Sequence, residues 1–201
     1  LGYVAQHILT ALDRKHAHVE LEHRVAVRTH ELQRANRELQ AEIMERKRAE
    51  KLQRALFRIT ELAITSETLE RFYADVHVVV DELIDARNFY IALVSDDGEQ
   101  LSFPYSIDER DPMRKSRRMT NGLTEYVIAT GRPLLADRPV IAQLAEQGKL
   151  QQHGPPAYSW LGVPLFRGED VVGTVVVQSY TEEVKFTSHD QNLLTFVAHH
   201  I

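Results

Sequence analysis

The sequence predicts an α+β protein in which an antiparallel sheet flanked by helices is preceded by one long coiled-coil helix. Three observations predict it. No proline or glycine occurs between residues 14 and 65, where Glu, Arg, Gln, Leu and Ala dominate, so that stretch is helical by composition. Two pairs of short β-rich runs close around polar turns, Ser95-Asp96-Asp97-Gly98 and Arg167-Gly168-Glu169-Asp170, as hairpins do. The order helix, helix, strands, helices, strands, helix sets helices beside an antiparallel sheet rather than between parallel strands.

The long helix carries a narrow apolar stripe. Val25, Leu32 and Leu39 recur every seven residues, and Thr29, Asn36 and Ile43 follow each by four, which is the a/d seam of a coiled coil and too thin for a globular core. Asn36 lies in that seam, where a polar residue sacrifices stability but fixes register and favours a two-stranded parallel pairing. Glu20 with Arg24, Glu42 with Arg46 and Glu50 with Arg54 are spaced to support the helix, each by a few tenths of a kcal/mol. The seven-residue phase is lost over Glu45 to Glu50, and apolar residues resume at Leu52, Leu56, Ile59 and Ala63. Such a break is a place for strain, or simply the point where the coil ends and the helix joins a globular core.

A second helix is predicted over residues 68–86, with Leu69, Phe72, Val76, Val79, Val80, Leu83 and Ile84 on its buried face. Residues 88–94 and 100–105 form the first hairpin, and a polar stretch from Asp108 to Met119 follows. A helix over residues 123–130 is stopped by Gly131 and Pro133. A short strand at 134–136, a weak helix at 140–147 and a loop at 148–156 lead to the second hairpin, residues 158–166 and 171–180. The last helix starts after Thr187-Ser188, either of whose hydroxyls can cap it.

Composition narrows the chemistry. With 43% hydrophobic and 26% charged residues the chain has an ordinary globular balance. It has no cysteine, which excludes disulfides, thiolate nucleophiles, cysteine-ligated zinc and a chromophore held through sulfur. Between Arg14 and Ala55 eleven Lys or Arg stand against seven Glu, a net charge of +4 that leaves −9 for the remainder. Acidic and basic residues are interleaved there, so the stretch reads as a solvated face and nucleic acid is not an expected partner. No apolar run approaches the roughly 20 residues of a membrane span and no leader sequence is visible, so a cytoplasmic location without membrane contact is expected. His16, His18, His23 and His30 lack the spacing that sets two ligands side by side on a helix, so no metal site is expected. Walker and Gly-x-Ser-x-Gly motifs are missing, and no catalytic residue is assigned.

The motifs of the globular part carry a resemblance. Asn121-Gly122-Leu123-Thr124-Glu125-Tyr126-Val127-Ile128-Ala129-Thr130-Gly131-Arg132-Pro133-Leu134, Trp160-Leu161-Gly162-Val163-Pro164-Leu165, Gly173 to Tyr180 and Asp190 to Ala198 together resemble a GAF domain, with the likeness covering residues 56–201. Residues 14–55, through Arg28-Thr29-His30-Glu31-Leu32 and Ala35 to Ile43, resemble the helices that couple bacterial sensor modules to histidine kinases, diguanylate cyclases and phosphatases. Residues 1–8 match residues 194–201 at five of eight positions. This suggests that residues 1–13 end the last helix of a preceding GAF domain in a tandem array.

The resemblance implies a sensory or protein-interaction module that dimerises in parallel and acts on an output domain outside the chain. The family's cyclic-nucleotide signature is absent, and no cofactor is assigned. A pocket is implied between the sheet and residues 108–121 and 140–156, lined by Tyr105, Arg118, Asn121, Tyr126, Tyr158 and Trp160. Each of these aromatics is equally explained by core packing. Arg118 belongs to the run Arg114-Lys115-Ser116-Arg117-Arg118, which is either a solvated loop or an attractor for an anionic ligand. Val25, Leu32, Asn36, Leu39 and Ile43 are the expected dimerisation residues. Two other readings are a dimerisation scaffold without a ligand and an enzyme related to the GAF-type sulfoxide reductases, the latter opposed by the missing cysteines.

Overall fold

The computed structural model describes the backbone of residues 2–151 and 154–201, and the side chains of those residues other than 2–13, 17 and 19. The N-terminal half of the expected repeat thus lies outside the described side chains. Two compact units divide the chain, Leu1–Glu50 and Lys51–Ile201.

Helix α1 runs Gly2–Thr65. In the first unit every described side chain from Arg14 to Glu50 is exposed. The apolar seam is exposed with the rest, Val25 by 56%, Leu32 by 69%, Leu39 by 57% and Ile43 by 44%. Glu20 and Arg24 pair at 2.7 Å as their spacing predicts. Arg46, which has a carboxylate four residues away on either side, pairs with Glu50 at 3.3 Å. Neither the Glu42–Arg46 nor the Glu50–Arg54 pair forms among the described residues, because the Arg46 guanidinium takes up Glu50 and leaves Glu42.

In the second unit the last turns of α1 bury Ala55 and Ile59 in the main core. Helix α2 (Leu69–Asp81) starts where the Thr68 hydroxyl accepts the Arg71 amide at 3.2 Å. It ends earlier than residue 86, because the Asp81 carboxylate accepts the Ala86 amide at 3.0 Å and turns the chain. Leu69, expected on the buried face, is 66% exposed; it is the first helical residue, one step outside the stripe that Phe72, Val76, Val79 and Val80 bury.

The strands are β1 (Asn88–Val94), β2 (Gln100–Ile107), β3 (Arg117–Arg118), β4 (Leu134–Asp137), β5 (Ser159–Arg167) and β6 (Asp170–Ser179). They form one sheet of order β3-β2-β1-β6-β5-β4, antiparallel throughout. Strand β3 was not legible in the sequence, since two arginines paired with Leu101 and Gln100 carry no strand pattern. Helices α3 (Leu123–Thr130) and α4 (Arg138–Glu146) separate β3, β4 and β5. Helix α5 (Ser188–Ala198) closes the chain with a capping box in which Thr187 and Asp190 bond reciprocally. Gly131 ends α3 at φ +61°, the left-handed position where glycine carries no Cβ penalty.

Both faces of the central strands are covered, which is why β1, β5 and β6 read as nearly continuous apolar runs. Phe89, Ile91, Leu161, Val163, Val175 and Val177 face the main core with α2, α5 and the end of α1. Tyr90, Trp160, Val176 and Tyr180 face the other way, with Val127 of α3. No helix among the described residues is long and apolar enough to cross a membrane.

Candidate functional site

The second face of the sheet carries a cavity of about 160 Å³. Tyr90, Phe103, Trp160 and Gln178 form its floor, the segment from Asp111 to Arg117 one wall, and the start of α3 with Ile141 and Leu150 the other. The Trp160 indole lies flat over Gly162, where an added Cβ would overlap the ring. That is the physical content of the Trp-Leu-Gly motif: the glycine leaves the space into which the indole folds. The Tyr90 and Thr124 hydroxyls meet at 3.0 Å and tie the first turn of α3 to the sheet.

Two buried carboxylates organise the cationic wall. Asp108 follows directly on β2, and its side chain is fully buried. Its Oδ1 accepts the amides of Arg110 and Asp111 at 2.9 and 3.0 Å. Its Oδ2 accepts the Gln178 amide and, at 3.0 Å, Nη2 of Arg114. The Tyr180 hydroxyl donates to both oxygens at 3.0 Å. Burial first, then the Asp108 charge and hydrogen bond, push the Tyr180 hydroxyl well above its ordinary range, so it remains a donor. A buried charge needs this degree of hydrogen bonding to be tolerated. The arrangement holds the Arg114 guanidinium 3.8 Å above the Tyr90 ring, a cation–π contact in a site only 13% exposed.

Glu125 is the second carboxylate, 4% exposed. Its Oε1 accepts Nη1 of Arg117 and, at 3.1 and 2.7 Å, the amide and hydroxyl of Thr120. Burial raises its pKa, but the bonds from Arg117, Thr120 and its own backbone amide outweigh that and hold it down at about 2. Arg114 and Arg117 are thereby fixed three residues apart along one wall.

Of the six residues expected to line a pocket, the structure brings Trp160 alone into this cavity. Tyr105 lies on the opposite face, bonded to Nδ1 of His77 at 2.9 Å and edge-on to Phe89. A register shift in the β1–β2 ladder, Ile91 opposite Tyr105 but Leu93 opposite Ser102, is the cause. The extra residue in β2 reverses the alternation, so that Phe103 and not Tyr105 faces the cavity. Arg118 and Asn121 are exposed, the latter offering its carbonyl to the Gln151 amide. Tyr126 is half-buried on α3 outside the lining. Tyr158 stacks under Arg138 at 4.9 Å, also outside the lining. The residues missed are Asp108, Glu125 and Gln178, while Arg114 and Arg117 belong to the basic run read with Arg118 as a solvated loop or an anion attractor. One signal was available for Gln178, a lone amide closing the apolar run Val175-Val176-Val177.

The GAF domain family model matches residues 66–201, while no curated protein sequence matches the chain. Among solved structures, the GAF domain of a phosphoenolpyruvate-protein phosphotransferase from Coxiella burnetii is similar, with TM-score 0.60 and 18% identity, over 76% of this chain and 90% of that one. The free methionine-R-sulfoxide reductase from Neisseria meningitidis, in complex with its substrate, matches with TM-score 0.58 and 16% identity over 74% and 84%. A methyl-accepting chemotaxis protein matches with TM-score 0.59 and 12% identity over 71% and 91%. At such identities the likeness is one of fold. The family match takes in all six strands and the four helices from α2 to α5, and on that ground the chain belongs to the GAF domain family.

Proposed function

We propose that this chain is a sensory and regulatory module. Its cavity receives a small molecule, two copies pair in parallel through Val25, Leu32, Asn36, Leu39 and Ile43, and the pair passes the state of the cavity to an output domain outside the chain. A diguanylate cyclase or a histidine kinase in the bacterial cytoplasm is the kind of output this helix suits. The observation that supports the reading best is the exposure of the α1 seam. A helix whose exposed apolar residues recur mainly at seven-residue steps, with Leu21, Val27 and Met44 exposed outside them, gains little as a monomer, and pairing buries the stripe. The same helix ends with Ala55 and Ile59 inside the domain core, so a change of pairing has a mechanical path into the domain.

Static light scattering on the purified chain tests the pairing. A dimer at micromolar concentration is expected, and Leu32→Asp with Leu39→Asp should convert it to a monomer with loss of helical circular dichroism. A wild-type monomer whose helicity is independent of dilution would end the transmission reading. The module is read as non-catalytic, because the chain offers no thiol. Turnover of free methionine sulfoxide by the purified chain would contradict that.

A further inference from the structure

We propose that the cavity binds a small organic anion, its carboxylate on the guanidinium edges of Arg114 and Arg117 and its apolar body over Trp160. This rests on the sensory reading above and names the class of its ligand.

The cations come from one short segment, and Arg114, Lys115 and Arg117 all line the cavity. A guanidinium presents five N–H donors, and the neighbouring carboxylates occupy only one edge of each. Arg114 gives Nη2 to Asp108, and its Nε lies 3.3 Å from Asp111. Arg117 gives Nη1 to Glu125, Thr120 and the Arg118 carbonyl. Among the described residues, Nε and Nη1 of Arg114 and both Nε and Nη2 of Arg117 make no hydrogen bond, Nε of Arg114 being buried.

Asp108 orients Arg114 from a fully buried position, while Asp111 and Glu125, the latter with its Oε2 buried and without a hydrogen-bond partner among the described residues, line the cavity beside the three cations. Holding a binding arginine from behind by a buried carboxylate is how a site is made rigid before its ligand arrives. The start of α3 also lines the cavity with Gly122, Leu123 and Thr124, and its positive end is met by the Glu125 carboxylate in the first turn.

Away from this polar wall the lining includes Trp160, Ile141, Leu150 and Leu123 together with the polar Gln151 and Gln178, and its apolar part accepts a flat or branched body. At about 160 Å³ the cavity is close to the roughly 150 Å³ that accepts a benzene-sized ligand, which suits a small organic acid.

The test titrates the whole chain with benzoate, phenylacetate and isovalerate, following thermal unfolding and calorimetric heat, with benzamide, benzylamine and inorganic phosphate alongside. At least one acid should raise the unfolding temperature, and benzamide and benzylamine should bind about tenfold more weakly or worse. Acid affinity should fall as salt rises. Arg117→Gln should abolish the shift. It takes a charged donor from buried Glu125, as Arg114→Gln does from buried Asp108, and either change puts the fold at risk, so Lys115→Gln is the companion variant. Lys115 is exposed, and its variant should unfold like the wild type while binding the acid about threefold more weakly. Equal binding of amide or amine, phosphate matching the acids, or no response to any acid overturns the assignment. If a neutral or cationic compound binds instead, the sensory reading survives; if a broad metabolite screen finds no ligand, that reading falls too.

Discussion

Glu125 shows how one side chain ties a helix end to a wall of the cavity. Its pKa is held at about 2 against an ordinary 4.5, so between these values the unfolded chain binds more protons than the folded one. Stability therefore rises with pH across that window, is fully present above about 4.5, and is lost as pH falls toward 2. The difference corresponds to at most about 3 kcal/mol. Glu125→Gln should cost about 1–3 kcal/mol at pH 7, since it leaves Arg117 without its charged partner. That gap should narrow as the pH falls toward 3, as read by urea denaturation at each pH; a gap independent of pH would show that the carboxylate charge contributes nothing. The sequence could not show this role. Within Leu123-Thr124-Glu125-Tyr126 a glutamate reads as a solvent-facing helix residue, and its partners Arg117 and Thr120 lie in a stretch with no pattern of its own.

Elements were legible wherever one period governs a run. The two hairpins, the glycine that ends α3 and the threonine that starts α5 follow from turn and capping chemistry within a few residues. What defeated the reading of β2 was a single extra residue, which moved Tyr105 to the His77 side of the sheet while the alternation continued to look regular. In α1 the seven-residue steps beyond Ile43 fall on Arg46, Glu50, Gln53 and Thr60 as well as on exposed Phe57 and Ile64, and Ala55, Ile59 and Leu62 turn to the core. Asn36 and Thr29 are the polar members of the stripe that runs from Val25 to Ile43. Asn36→Leu should raise the melting temperature of the paired helix and relax its register, giving species heavier than a dimer in sedimentation equilibrium. An unchanged dimer with unchanged melting would remove Asn36 from the seam.

At the scale of the molecule, the cavity and the end of α1 lie on opposite faces of one sheet. Tyr90 looks into the cavity and its neighbours Phe89 and Ile91 into the core that holds Ile59. This arrangement was beyond a linear reading, because it depends on pairings such as Asp108 with Gln178 and Tyr180, seventy and seventy-two residues apart. Adjacency across a sheet is not yet coupling, since a shared strand transmits only if it has two arrangements that both sites bias. The sensory reading therefore carries a thermodynamic demand. If dimerisation shifts each cavity's affinity for an acid by some factor, saturating acid must shift the dimerisation constant by the square of that factor, once for each of the two cavities. The monomeric Leu32→Asp, Leu39→Asp chain supplies the second measurement, because its cavity residues are untouched. Its acid affinity should differ from the wild-type dimer's by about 5- to 150-fold, and the square of that ratio should match the ligand-induced change in the dimer's dissociation constant. Equal affinities in monomer and dimer would mean that the cavity and the helix pair work independently, and that any signal leaves the domain by another route.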